Sequence, residues 1–174
     1  MTPEQAVHRW LESIVIGLNL CPFAKRELVN ERVRFSETPA ASEEELLNAL
    51  AYELDLLAKD DGIETTLLIH PNVLQDFFDY NQFLDLIDGL LKELNLEGTF
   101  QVASFHPEYQ FGGTEKGDAE NYTNRAPYPL LHIIREASLE RVIDEYPNIK
   151  EIPERNIALM NEMGTTKLKL LLEL

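Results

Sequence analysis

The chain has 174 residues, 31 acidic against 15 basic, giving a formal net charge of −16, with 44% hydrophobic and 26% charged residues. That length supports one domain with a core of its own. The acidic field argues against a nucleic-acid partner, whose phosphates it would repel. A single cysteine excludes an internal disulfide and suits a reducing cytoplasm. No apolar run approaches the ~18 residues of a membrane span, and the start Met1-Thr2-Pro3-Glu4-Gln5 lacks the basic and apolar regions of a signal peptide. The composition therefore predicts a cytoplasmic protein that is not membrane-bound.

Thr2, Pro3 and Gln5 form a capping box with proline at the first helical position. Val7, Trp10, Leu11, Ile14 and Val15 then recur at helical spacing, which predicts an amphipathic helix over 3–16 ended by Gly17. Cys21-Pro22 follows. A short second helix with Pro22 at its first position would set the thiol at a helix N-terminus near Lys25 and Arg26, two influences that favour a thiolate. The bland alternative is that Cys21 is a small buried hydrophobe.

Val33 and Phe35 alternate with polar neighbours, predicting a strand over 32–37. Ser42 and three glutamates open a helix over 42–59, with Leu46, Leu47, Leu50, Leu54 and Leu57 on one face. Thr65–Ile69 reads as a buried strand that stops at His70-Pro71. Residues 73–95 read as helix, with a break near Asp79-Tyr80-Asn81, and 100–105 as a strand that stops at His106-Pro107. Parallel strands joined by helical crossovers would bring His70 and His106 to one edge of a sheet, the carboxyl edge where open α/β sheets bind ligands.

The segment 106–129 has neither helix nor strand periodicity, yet it carries Tyr109, Phe111, Tyr122 and Tyr128 with His106 and Arg125. A connection that long is functional or disordered, and its aromatics favour an ordered, site-forming loop. Leu130–Ile134, containing His132, reads as a fourth strand leading into Arg135. Ser138 caps a predicted helix over 139–145, and Pro153 opens another that Gly164 ends. Residues 165–174 fit either a short edge strand or a packed or frayed tail. The order of elements predicts a single α/β domain over 1–174, with α+β as the alternative: a small, mainly parallel four-stranded sheet, flanking helices and one long ordered loop.

No dinucleotide or phosphate-loop motif is present, and no zinc or calcium spacing, so no cofactor is predicted. The leading expectation is a ligand-binding protein or small-molecule enzyme with its pocket at the carboxyl edge, covered by the 106–129 loop. A thiol-dependent hydrolase or transferase would use Cys21 as nucleophile and His106 as base, with Asn121 or Asn124 orienting the imidazole. His70, Tyr109, Asn124, Arg125, Tyr128 and Arg135 would line the site. The two arginines suit an anionic small molecule, although Arg125 equally suits an anchor to loop carbonyls. Two alternatives differ in class. One is an interaction module, or a homo-oligomer, that uses the aromatic loop as a surface patch. The other is a metal site assembled from Cys21, His70, His106 and His132.

Three stretches carry a resemblance: Gly-Leu-Asn-Leu-Cys-Pro-Phe-Ala at 17–24, His-Pro-Glu-Tyr-Gln-Phe at 106–111, and Asn-Tyr-Thr-Asn-Arg-Ala-Pro-Tyr-Pro at 121–129. With these the chain resembles, up to about Gly164, a family of short and mostly proteobacterial proteins that share a domain of unknown function. The resemblance implies a stand-alone bacterial protein and supplies no catalytic residue, cofactor or substrate.

Overall fold

Alternating sequence sets the sheet and amphipathic sequence sets its covers. The structure is a computed structural model that describes residues 1–173. Helix α1 (Pro3–Trp10) begins on the expected box, in which the Thr2 side chain accepts from Gln5 N–H and the Gln5 side chain accepts from Thr2 N–H. It runs on as a π-helix over Leu11–Ile16, which shifts the apolar stripe so that Leu11, Ile14 and Val15 are all buried. Gly17 N–H reaches the Glu12 carbonyl at 3.0 Å. A Cβ on Gly17 would lie 2.2 Å from the Ser13 carbonyl oxygen, so only glycine closes this wide turn. Helix α2 (Ala24–Val29) leads to β1 (Val33–Glu37), α3 (Glu43–Lys59) and β2 (Thr65–Ile69). Then come α4 (Phe77–Glu93), β3 (Phe100–Phe105), β4 (Leu130–Arg135), α5 (Glu136–Glu145), α6 (Ile152–Met163) and α7 (Thr165–Glu173).

The domain is α/β, as expected, but the sheet is mixed rather than mainly parallel. Its order is β1-β2-β4-β3. β1 and β2 pair in parallel, while β4 runs antiparallel between β2 and β3. The long segment after β3 returns the chain along the carboxyl edge, so β4 enters there and runs back. Because β2 and β3 still point the same way, their ends meet across β4: Ile69 and Phe105 both pair with Leu130.

The first face of the sheet is filled. Leu68, Leu131, Ile133 and Phe100 pack with Leu46, Leu50, Leu54 and Leu57 of α3 and with Tyr80, Phe83, Ile87 and Leu91 of α4. Buried Glu53 of α3 takes Arg34 in two contacts of 2.7 and 3.1 Å and the Ser36 hydroxyl at 2.7 Å, which ties that helix to β1. The second face is covered by α1 and its π-helical extension, α6, α7 and a 3₁₀ turn at Ala119–Thr123. Residues 165–173 form a helix, not a strand, with Leu168 buried; Leu174 lies outside the described residues. Among the described residues no helix is long and apolar enough to cross a membrane.

Two helices start differently from expectation. α4 begins at Phe77 because Asp76 caps it, accepting from Asp79 N–H at 3.0 Å, and it is unbroken at Tyr80. α5 begins directly after β4, since the Ser138 hydroxyl is turned onto the Glu64 carboxylate and caps nothing.

Candidate functional site

The two histidines expected at one edge are there, and each ring meets a backbone carbonyl. Both rings lean on buried Tyr80, His70 stacked at 5.8 Å and His106 tilted at 5.0 Å. His70 Nδ1 meets the Val73 carbonyl at 3.0 Å. His106 accepts Glu108 N–H at Nδ1 and therefore donates from Nε2 to the Leu74 carbonyl, each at 3.0 Å. Leu74 has φ +59°, a left-handed conformation uncommon for a leucine. The imidazoles thus satisfy the carbonyls of a strained turn. Burial holds His70 down to about 4 and lowers His106, so both are neutral near pH 7. Burial also raises the Tyr80 phenol, which donates to the Leu130 carbonyl at 2.7 Å and accepts Phe105 N–H at 3.0 Å.

The arginines are likewise committed to backbone. Arg125 is 7% exposed and donates to the carbonyls of Tyr109 (3.1 Å) and Lys116 (2.7 Å), with its guanidinium 4.6 Å from the Tyr122 ring centre. Arg135 donates to the carbonyls of Leu57, Asp60 and Ile63, closing the C-terminal end of α3. Buried Asn121 clamps the long loop by accepting from Phe111 N–H and the Thr114 hydroxyl and donating to the Glu115 carbonyl. Tyr109 and Tyr128 are half-buried; Tyr109 lies against Phe77 and Phe111, with ring centres 5.1 and 5.0 Å away. The loop is thus braced by its own side chains.

The concave site is elsewhere, on the second face of the sheet. A cavity of about 900 Å³ lies between that face and the π-helix, α2, α5 and α6. Its floor shows why it exists. On the first face the middle of the sheet carries Leu68, Leu131 and Ile133. On the second face Leu67, Phe105 and Ile134 share the floor with Thr65, Ala103 and His132, and these last three are too small or too polar to fill the space beneath a helix. Helix α5 lies over the gap without burying any residue, and its Leu139 and Val142 face the cavity. Cavities of this size and apolar character hold small organic ligands.

Cys21, Asn124 and His132 border this cavity, whereas His70, His106, Tyr109, Arg125, Tyr128 and Arg135 do not. Cys21 is exposed and sits in the turn ahead of α2, not at the helical position that Pro22 suggested. The expected meeting of Cys21 with His106 does not occur in the cavity, and both nitrogens of His106 are already engaged. Asn124 donates to the Ser104 carbonyl and accepts from the Thr123 hydroxyl. Among the described residues no group of three or more His, Cys, Asp or Glu side chains is arranged to hold a metal ion, so the four-residue metal convergence is not formed.

Sequence reasoning passed over several wall residues. Trp10, the single tryptophan, and Glu27, Glu64 and Asn156 all border the cavity. Trp10 Nε1, Glu27 Oε2 and Asn156 Oδ1 are sealed from solvent and have no hydrogen-bond partner among the described residues. Such atoms are rare in native cores. The exposed border is ionic: Arg26 meets Glu27 at 2.9 Å, and Arg32 meets Glu64 at 3.0 Å and Glu27 at 3.8 Å.

Fold and site together define an α/β protein with a roofed, mostly apolar cavity on one face of a mixed sheet. The chain belongs to the family described as Protein of unknown function (DUF1415), whose model matches residues 2–170 and so reaches past Gly164, where the resemblance read from motifs stopped. No curated protein and no solved structure matches the chain.

Proposed function

We propose that this protein binds an apolar small molecule in the cavity on the second face of its sheet, with α5 as the roof. The supporting observation is an amphipathic helix whose apolar side lies over about 900 Å³ of space instead of over a core. A ten-residue helix is marginal alone and needs its apolar face covered. A ligand between α5 and the floor residues supplies that cover. Cys21, exposed on the border, flanks the path to the cavity; catalysis with His106 as its base forms no part of this reading.

The test uses N-phenyl-1-naphthylamine, a neutral fluorophore whose emission rises in apolar surroundings. Binding in the cavity places it against Trp10, so tryptophan emission falls by energy transfer as probe emission rises. Ala103→Phe projects a ring from the floor and abolishes both changes. A probe signal that survives Ala103→Phe contradicts the proposal.

A further inference from the structure

Few polar atoms around the cavity are both accessible and free. Trp10 Nε1, Glu27 Oε2 and Asn156 Oδ1 are inaccessible, and the guanidiniums of Arg26 and Arg32 on its border are turned onto Glu27 and Glu64. His132 stands apart. It occupies the middle of β4, between Leu67 of β2 and Ala103 of β3, so its ring lies at the centre of the floor.

Its tautomer is fixed by a relay. The Thr65 hydroxyl has one proton and donates it to the Ile133 carbonyl at 2.6 Å. Toward His132 Nε2, 2.7 Å away, the same oxygen can only accept. The imidazole proton therefore sits on Nε2, and Nδ1 carries the lone pair. Among the described residues that Nδ1 has no hydrogen-bond partner, and it is not sealed. A ligand that fills the space covers this acceptor, and a covered acceptor without a donor is costly.

We propose that the cavity selects apolar molecules bearing a hydroxyl or amine N–H, whose hydrogen is accepted by Nδ1 of His132. This rests on the ligand-binding reading above and makes its substrate class specific. A carboxylate is disfavoured at the floor, since it offers no proton and brings a charge into apolar surroundings. An anionic ligand would have to leave its head among the border arginines instead.

Three compounds on one alkyl scale decide the matter: octan-1-ol, its isomer heptyl methyl ether, and octanoate at pH 7.5. Each is assayed by displacement of N-phenyl-1-naphthylamine and by the shift in thermal unfolding midpoint. Octan-1-ol is expected to bind roughly ten-fold more tightly than the ether, the value of about one hydrogen bond to a buried acceptor, with octanoate the weakest. His132→Phe levels the alcohol with the ether. Thr65→Val, which keeps the ring but frees its proton, narrows the gap. If all three compounds bind and the ether or octanoate matches the alcohol, the donor assignment is wrong while the cavity reading stands. A preference undiminished in both variants also overturns it. If none of the three displaces the probe or moves the midpoint, the cavity reading falls with it.

Discussion

The two faces of the sheet are built from the same strands and differ in what their middle residues are. On the first face Leu68, Leu131 and Ile133 meet two leucine- and aromatic-rich helices in one buried cluster. On the second, Thr65, Ala103 and His132 lie beneath a helix that buries nothing. The period-2 alternation of a strand assigns each face its own set of residues. One strand thus contributes a structural face and a face that holds space. The histidines repeat the contrast: His70 and His106 brace a turn, while His132 offers a lone pair to the cavity.

Truncation separates the faces most strongly. Leu131→Ala, in the filled core, is expected to cost about 2–5 kcal/mol. Leu139→Ala, over the cavity, is expected to cost about 1 kcal/mol or less. Urea unfolding of both variants measures the difference, and equal costs would mean that α5 packs as tightly as α3 and α4.

Acid acts through the buried histidines, His70 and His132 both being held down to about 4 by burial. An unfolded imidazole takes its proton near pH 6.5, whereas folded His70 stays neutral down to about 4. Between those values the unfolded chain binds more protons, so stability is full above pH 6.5 and falls as the pH drops toward 4. The loss from His70 is on the order of 3 kcal/mol. NMR titration of the imidazoles checks this; a His70 midpoint near 6.5 would remove the basis for the loss.

A third difference lies within the long loop, which reaches the cavity through Phe111, Thr123 and Asn124 but keeps Arg125 away from it. Arg125→Met is expected to cost about 1–3 kcal/mol by stripping donors from the Tyr109 and Lys116 carbonyls, with probe affinity unchanged. A large loss of affinity in a variant that keeps its unfolding midpoint would return Arg125 to the ligand.

Strand and helix positions were legible because their signals are local. Thr65–Ile69 and Phe100–Phe105 have the ends their His-Pro steps imply, and the meeting of His70 and His106 followed from two co-directional strands. The direction of β4 was not legible, since alternation is the same read from either end and a loop of two dozen residues can return the chain either way. The roles of Arg125 and Arg135 were hidden for a related reason: a guanidinium that anchors carbonyls and one that binds an anion are the same residue in sequence. The cavity was illegible because its floor is assembled from one or two residues of each of the four strands. The trace it leaves is a histidine and an alanine at inward positions where leucine or isoleucine would be expected, and His132 within Leu-Leu-His-Ile-Ile is the clearest instance.

Ala103→Phe tests the whole account, because it changes the floor of the cavity and nothing on the first face. Filling an existing space is expected to raise stability by about 0.5–2 kcal/mol while abolishing the binding of N-phenyl-1-naphthylamine. A variant that is less stable than the parent and still binds the probe would show that the second face holds no ligand space.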